Sequence, residues 1–148
     1  MSLQDSIMAA IKSAMKSKNS VALTALRSVK SAILIAHTSG SGSVMSEEDE
    51  FRLLQKLVKQ RRDSANIFTE QNRLDLAEPE LAEAAVISQF LPKMLEESEV
   101  EKVVIETINS LGASGMKDMG KIMGMASKQL SGVADGKTIS NIVRNKLS

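Results

Sequence analysis

The chain has 148 residues, with no cysteine, tryptophan or tyrosine, three phenylalanines, nine methionines, and 19 basic against 18 acidic side chains. With 43% hydrophobic and 25% charged residues, its composition excludes a disordered, collagenous or disulfide-framed protein. Zero cysteines also removes thiolate nucleophiles and cysteine metal sites, and the expected setting is the reducing cytoplasm.

The first segment reads as an amphipathic helix rather than a signal peptide. Leu3, Ile7, Ala10, Ile11, Ala14 and Met15 recur at helical spacing, Lys12 and Lys16 are themselves one helical turn apart, and the longest apolar run is Ile7 to Ile11. This predicts a helix over about 3–17, broken by Asn19-Ser20. A second series, Ala22, Ala25, Leu26, Val29, Ile33 and Ala36, predicts a helix over about 20–38 that ends in the Ser/Gly tract 39–43, a flexible loop. Ser46 with Asp49 three residues on, amid Glu47, Glu48 and Glu50, marks the acid-rich first turn of a third helix running to about 70. Its apolar positions are Phe51, Leu54, Leu57, Val58, Ala65 and Phe68.

A fourth helix over about 73–90 carries Leu76, Ala77, Leu81, Ala84, Ala85 and Ile87, with a kink or restart expected at Pro79. Pro92 marks a boundary. Beyond it Val100, Val103, Val104, Thr107, Ile108 and Leu111 form a fifth helix, stopped by Gly112 in a left-handed position. Segments 116–130 and 138–147 supply two more. No segment alternates with period two between turn signals, so the fold class is all-α: an N-terminal four-helix domain, 1–92, and a small three-helix domain, 93–148. Nowhere do apolar residues run to the roughly 20 needed to cross a bilayer, so no membrane partner is expected.

Charge is segregated along this chain. Residues 1–38 hold five Lys/Arg and one acid, residues 46–111 eight and fifteen, and residues 112–148 six and two. Two basic ends flanking an acidic middle point to an anionic partner, or to solvated lysines on helices at the ends.

The inventory for catalysis is poor. His37 is the single histidine and sits at a predicted helix C-terminus, where it complements the dipole. The acid clusters Glu47–Glu50, Glu78/Glu80/Glu83 and Glu96/Glu97/Glu99/Glu101 all fall in first turns of helices, which accounts for them without a metal. No glycine pattern for a dinucleotide or a P-loop is present. No catalytic residue, metal site or cofactor is assigned, and independent enzyme activity is the weaker reading.

The segment 112–148 is more informative. Helical rotation over 116–130 puts Met116, Met119, Ile122, Met123, Ala126 and Leu130 on one face, and Lys117, Lys121, Gly124 and Lys128 on the other. Glycine inside a helix costs about 1 kcal/mol relative to alanine, so Gly120 and Gly124 need a reason. One is close approach by a nucleic-acid backbone or partner helix; others are tight packing on a neighbouring helix, or a turn. The last helix adds Lys137, Arg144 and Lys146, with Ile139, Ile142, Val143 and Leu147 as its core face. The methionines read mainly as gap-fillers in an aromatic-free core, or else as an adaptable peptide surface.

These residues carry a resemblance. GAS-x-x-KDMGKIMG, then G-x-ADG-x-x-x-S-x-x-V, preceded by KQRRDSA, R-x-DLAE and FLPKML-x-E-x-E-V, resembles the YqeY family over nearly the whole chain. The later part is similar to the tail domain of the GatB subunit of tRNA-dependent amidotransferases. The resemblance implies a helical domain joined to a three-helix domain, tRNA or another structured RNA as partner, and an association with carbon–nitrogen ligases that use glutamine as amido donor. It carries over to Gly120, Lys121 and Gly124, while Lys117, Lys128, Lys137 and Arg144 join the candidate nucleic-acid surface through the helical reading. The expected function is a tRNA-associated module that reads backbone and shape. The alternatives are an adaptor docking on an aminoacyl-tRNA synthetase or amidotransferase subunit, and an accessory component of the amide-transfer reaction.

Overall fold

The computed structural model describes residues 2–39 and 45–148. Beyond Ser39, the expected Ser/Gly loop lies outside the described residues. Among the described residues all regular structure is helical: α1 (Leu3–Lys16), α2 (Ser20–Ser39), α3 (Glu47–Glu70), α4 (Leu74–Ser88), α5 (Glu97–Leu111), a 3-10 turn (Met116–Asp118), α6 (Met119–Gln129) and α7 (Gly136–Leu147). The chain is all-α, and no helix among the described residues is long and apolar enough to cross a membrane.

Local chemistry sets most of the boundaries. The Ser46 hydroxyl accepts the Asp49 N–H at 3.1 Å, and the Asp49 carboxylate accepts the Ser46 N–H at 3.4 Å. This reciprocal cap fixes the start of α3. Ser2 and Asp5 repeat it on α1, where the hydrogen bonds from Ser2 hold the Asp5 carboxyl below the usual carboxylate range. The Asn19 side chain accepts the Ala22 N–H at 3.1 Å, opening α2. Gly112 closes α5 at φ 62°, the left-handed stop that lacks a Cβ penalty only for glycine.

Two compact units divide the chain, Met1–Leu91 and Pro92–Ser148. The first buries Ile7 and Ile11 of α1, Leu26, Val29 and Ile33 of α2, Leu54, Leu57 and Val58 of α3, and Ala84 and Ile87 of α4. In the second, Val100 and Val104 of α5 meet Ile122, Ala126 and Leu130, and then Ile139, Ile142, Val143 and Leu147 of α7.

Three expectations are corrected. Helix α4 runs unbroken through Pro79, with no restart. Leu76 and Leu81 do not join its core face: they are 38% and 49% exposed, while Ala77, Ala84 and Ile87 are buried. Because apolar residues and the acids Asp75, Glu78, Glu80 and Glu83 are spread around α4 without a clear stripe, periodicity did not select the side that packs. Met116 is likewise 46% exposed, because the α-helix starts only at Met119. Met119 and Met123 pack at the edge of the second core, as gap-fillers should.

Candidate nucleic-acid interface

Helix α6 buries Ile122 and Ala126, so residues half a turn away must point outward. At 100° per residue, Lys121, Gly124 and Lys128 fall within an arc of about 60°, with Gly120 at its edge. All four are exposed. The N-cap of α6 is Asp118, which makes no side-chain cap hydrogen bond to the helix, and its carboxylate lies at the positive end of the helix dipole.

Lys117 is exposed too, but it stands in the 3-10 turn rather than on the α6 stripe. Gly115 enters that turn in extended conformation. The Ser114 N–H donates to the Asp118 carboxylate at 3.2 Å, tying the turn ahead of the helix. Lys137 and Arg144 are exposed on a different helix, α7, on the side away from Ile139, Ile142, Val143 and Leu147. The structure therefore groups Lys121, Gly124, Lys128 and Gly120 on one helix and places the other three cations elsewhere in the same unit.

Electrostatically these cations are unengaged. Among the described residues, Lys117, Lys121, Lys128, Lys137 and Arg144 enter no ion pair. Lys146 differs, since its ammonium lies 2.7 Å from the Glu101 carboxylate on α5.

A Cβ built on Gly120 or Gly124 would meet no atom within 4 Å. Both glycines lie inside continuous helix. Tight packing on a neighbour within the chain and a helix-breaking turn therefore explain neither, and what remains is the bare backbone they present to solvent.

Elsewhere the chemistry is thin. Among the described residues no group of three or more His, Asp or Glu is placed to hold a metal ion. In the first unit an open groove of about 530 Å³ brings Glu47 and Glu50 beside Phe51 and Phe90. Burial, and then the neighbouring Glu47, raise the Glu50 carboxyl above its ordinary value, against a smaller opposing effect of His37.

One functional-looking side chain escaped sequence reasoning. Arg61 of α3 donates to the Ser28 hydroxyl on α2 at 2.6 Å and to the Leu57 carbonyl at 3.1 Å. Its Nε stands 3.6 Å from the Glu83 carboxylate on α4, with side chains only 13% and 16% exposed. The signal was present: Arg61 continues the Leu54, Val58, Ala65 spacing of the buried face of α3, where a cation must find partners.

Comparison with known proteins places relatives along most of the chain. Residues 4–147 match the family model described as Yqey-like protein. Altered inheritance of mitochondria protein 41, mitochondrial, of Clavispora lusitaniae is 30% identical over 131 residues, 87% of this chain and 74% of its own length. The protein of that name from Meyerozyma guilliermondii is 40% identical over 57% of this chain and 43% of its own. The E-type subunit of the glutamyl-tRNA(Gln) amidotransferase of Thermococcus gammatolerans is 33% identical over 104 residues, which is 68% of this chain but 17% of that protein. The expected likeness to part of a tRNA-dependent amidotransferase thus takes the form of this archaeal protein.

Proposed function

Because the chain belongs to the Yqey-like protein family, we propose that it is a tRNA-associated binding module, built from a four-helix domain over 1–92 and a three-helix domain over 93–148, that recognises folded RNA by backbone and shape. One observation carries the reading: five exposed cations without ion-pair partners among the described residues share one small unit with two glycines open to solvent. Phosphate neutralisation needs cations of this kind. The same unit has no aromatic residue, whereas readers of single strands stack bases on aromatic rings. The name of the archaeal relative supplies the RNA class. A chain spanning 17% of that relative, with one histidine, is read as a binding module rather than as an amide-transferring enzyme.

The test is affinity for a tRNA transcript across a salt series. Each neutralised phosphate contributes about −0.7 to −0.9 to the slope of log affinity against log salt. Lys117→Glu, Lys121→Glu and Lys128→Glu together should abolish binding and flatten the slope; unchanged binding overturns the reading. Met125, 43% exposed and on the same arc as Lys121 and Lys128, favours a second reading in which α6 docks on a synthetase or amidotransferase subunit. Co-purification that survives both high salt and nuclease would mark it. The cytoplasm stays the proposed compartment, and the mitochondrial names of the fungal relatives set the alternative that fractionation distinguishes.

A further inference from the structure

The other basic end of the chain lies in the first unit, on the hairpin of α1 and α2 joined through Ser17–Asn19. It holds Lys12, Lys16, Lys18, Arg27 and Lys30 against a single acid, Asp5. All five cations are exposed, and none enters an ion pair among the described residues. Asp5 is committed to the Ser2 cap, accepting from the Ser2 hydroxyl at 2.8 Å. Lys16, in the last turn of α1, complements the helix dipole. Lys12, Arg27 and Lys30 sit away from helix ends, where the dipole offers nothing.

Spacing groups these cations within each helix of the hairpin. On α1, Lys12 and Lys16 are one turn apart, about 6 Å along the axis. On α2, Arg27 and Lys30 fall within about 60° of each other. The opposite faces of both helices are spent on the core through Ile7, Ile11, Leu26, Val29 and Ile33. The hairpin also leaves Met8, Met15, Leu34 and Ile35 exposed, so a lipid surface, which an interfacial helix meets through apolar side chains, is one outcome the test must separate. Beside those side chains the hairpin presents five cations on long flexible stems, with one acid already committed to a cap, the complement of a phosphate backbone.

We propose that the α1–α2 hairpin is a second phosphate-backbone contact, so that the chain grips a structured RNA at two separate places, one in each unit. This rests on the reading that the partner is RNA, but not on where the second unit binds it.

The experiment uses the full chain, a tRNA transcript and a potassium chloride series, with two charge-reversal variants whose folding is checked by circular dichroism. One is Lys12→Glu, Lys16→Glu and Lys30→Glu; the other is the Lys117/Lys121/Lys128 variant above. If the inference holds, the hairpin variant binds at least tenfold more weakly than the wild type, and its salt slope falls by about 2 to 3. A hairpin variant that matches the wild type in affinity and slope, while the second-unit variant fails, overturns this inference and leaves the proposed function standing. Loss in the hairpin variant alone supports the inference and overturns the placement on α6. If the hairpin variant loses only co-sedimentation with phosphatidylglycerol vesicles and keeps its tRNA affinity, the surface belongs to a membrane and the inference falls.

Discussion

The first unit ties its helices together with polar contacts as well as packing, whereas the second does so almost entirely with aliphatic side chains. In the first, Arg61 reaches from α3 to Ser28 on α2 and Glu83 on α4, and Phe90 packs at the margin of the core. In the second, the buried Thr107 hydroxyl donates to its own helix at Val103, 2.8 Å away. The link between Lys146 and Glu101 is half exposed, a kind of pair worth about 0–1 kcal/mol. Charge in the second unit is therefore hardly used to hold the fold, and it is available to a partner. Charge at Arg61 is spent internally, while the five exposed cations of α1, α2 and their connection enter no ion pair among the described residues.

The strongest way to break that contrast is through the cores. Ile122 and Leu54 are both fully buried, so Ile122→Ala and Leu54→Ala should each cost about 2–5 kcal/mol. The second unit is the smaller one, and a domain of about 60 residues buries only about 60% of its unfolded surface. Ile122→Ala should therefore remove the larger share of its unit's stability. Hydrogen exchange on the whole protein reads the units separately: protection should fall first in α5–α7 for Ile122→Ala and in α1–α4 for Leu54→Ala. Equal loss across both units for either variant would mean one cooperative core and dissolve the comparison.

Arg61 gives the next largest effect. Arg61→Ala strands the Glu83 carboxylate and the Ser28 hydroxyl, at a cost of about 2–3 kcal/mol, below the 3–5 of a fully buried pair because both side chains keep some solvent. Urea unfolding measures it. Arg61→Met with Glu83→Leu should recover most of the loss, since two apolar groups leave no charge unpaired. If the double variant is as unstable as Arg61→Ala, the arginine acts through its stem and not through its ion pair.

Local signals in the sequence carried most of the fold. Ser46 with Asp49, Asn19-Ser20, Gly112 and Pro92 each act through the backbone of their nearest neighbours, so helix starts and stops could be read without knowing the tertiary structure. The core face of α6 was legible for the same reason, through Ile122, Met123, Ala126 and Leu130. What escaped depends on partners distant in sequence. Leu81 looks like a core residue until Ala77, Ala84 and Ile87 prove to be the buried side of α4, and Arg61 looks like a surface cation until Ser28 and Glu83 arrive from other helices. Lys117 slipped off the predicted stripe because an extended Gly115 and a 3-10 turn delay the helix by three residues, which rotates every earlier side chain out of register. The exposed cations and glycines of α6 were legible as candidates from their spacing, since outward residues owe nothing to distant neighbours.

Gly124 gives the smallest effect and the sharpest test. It lies in mid-helix without a left-handed φ, and an added Cβ would meet no atom within 4 Å. Gly124→Ala therefore strains nothing and removes backbone freedom from the unfolded chain, so it should stabilise the second unit by about 0.5–1 kcal/mol. Gly120 stands in the first turn of α6, where propensity counts for less, and Gly120→Ala should gain less. If an RNA backbone approaches α6 through these positions, the same methyl group that steadies the helix also holds the phosphates away. Affinity for the tRNA transcript should then drop by roughly three- to tenfold, equivalent to about 0.7–1.4 kcal/mol. Thermal unfolding and tRNA binding measured on one preparation separate the two effects, since a merely structural role moves only the first. A variant that is more stable and binds as tightly as the wild type would show that the glycines serve no interface, leaving the recognition of RNA to the lysines alone.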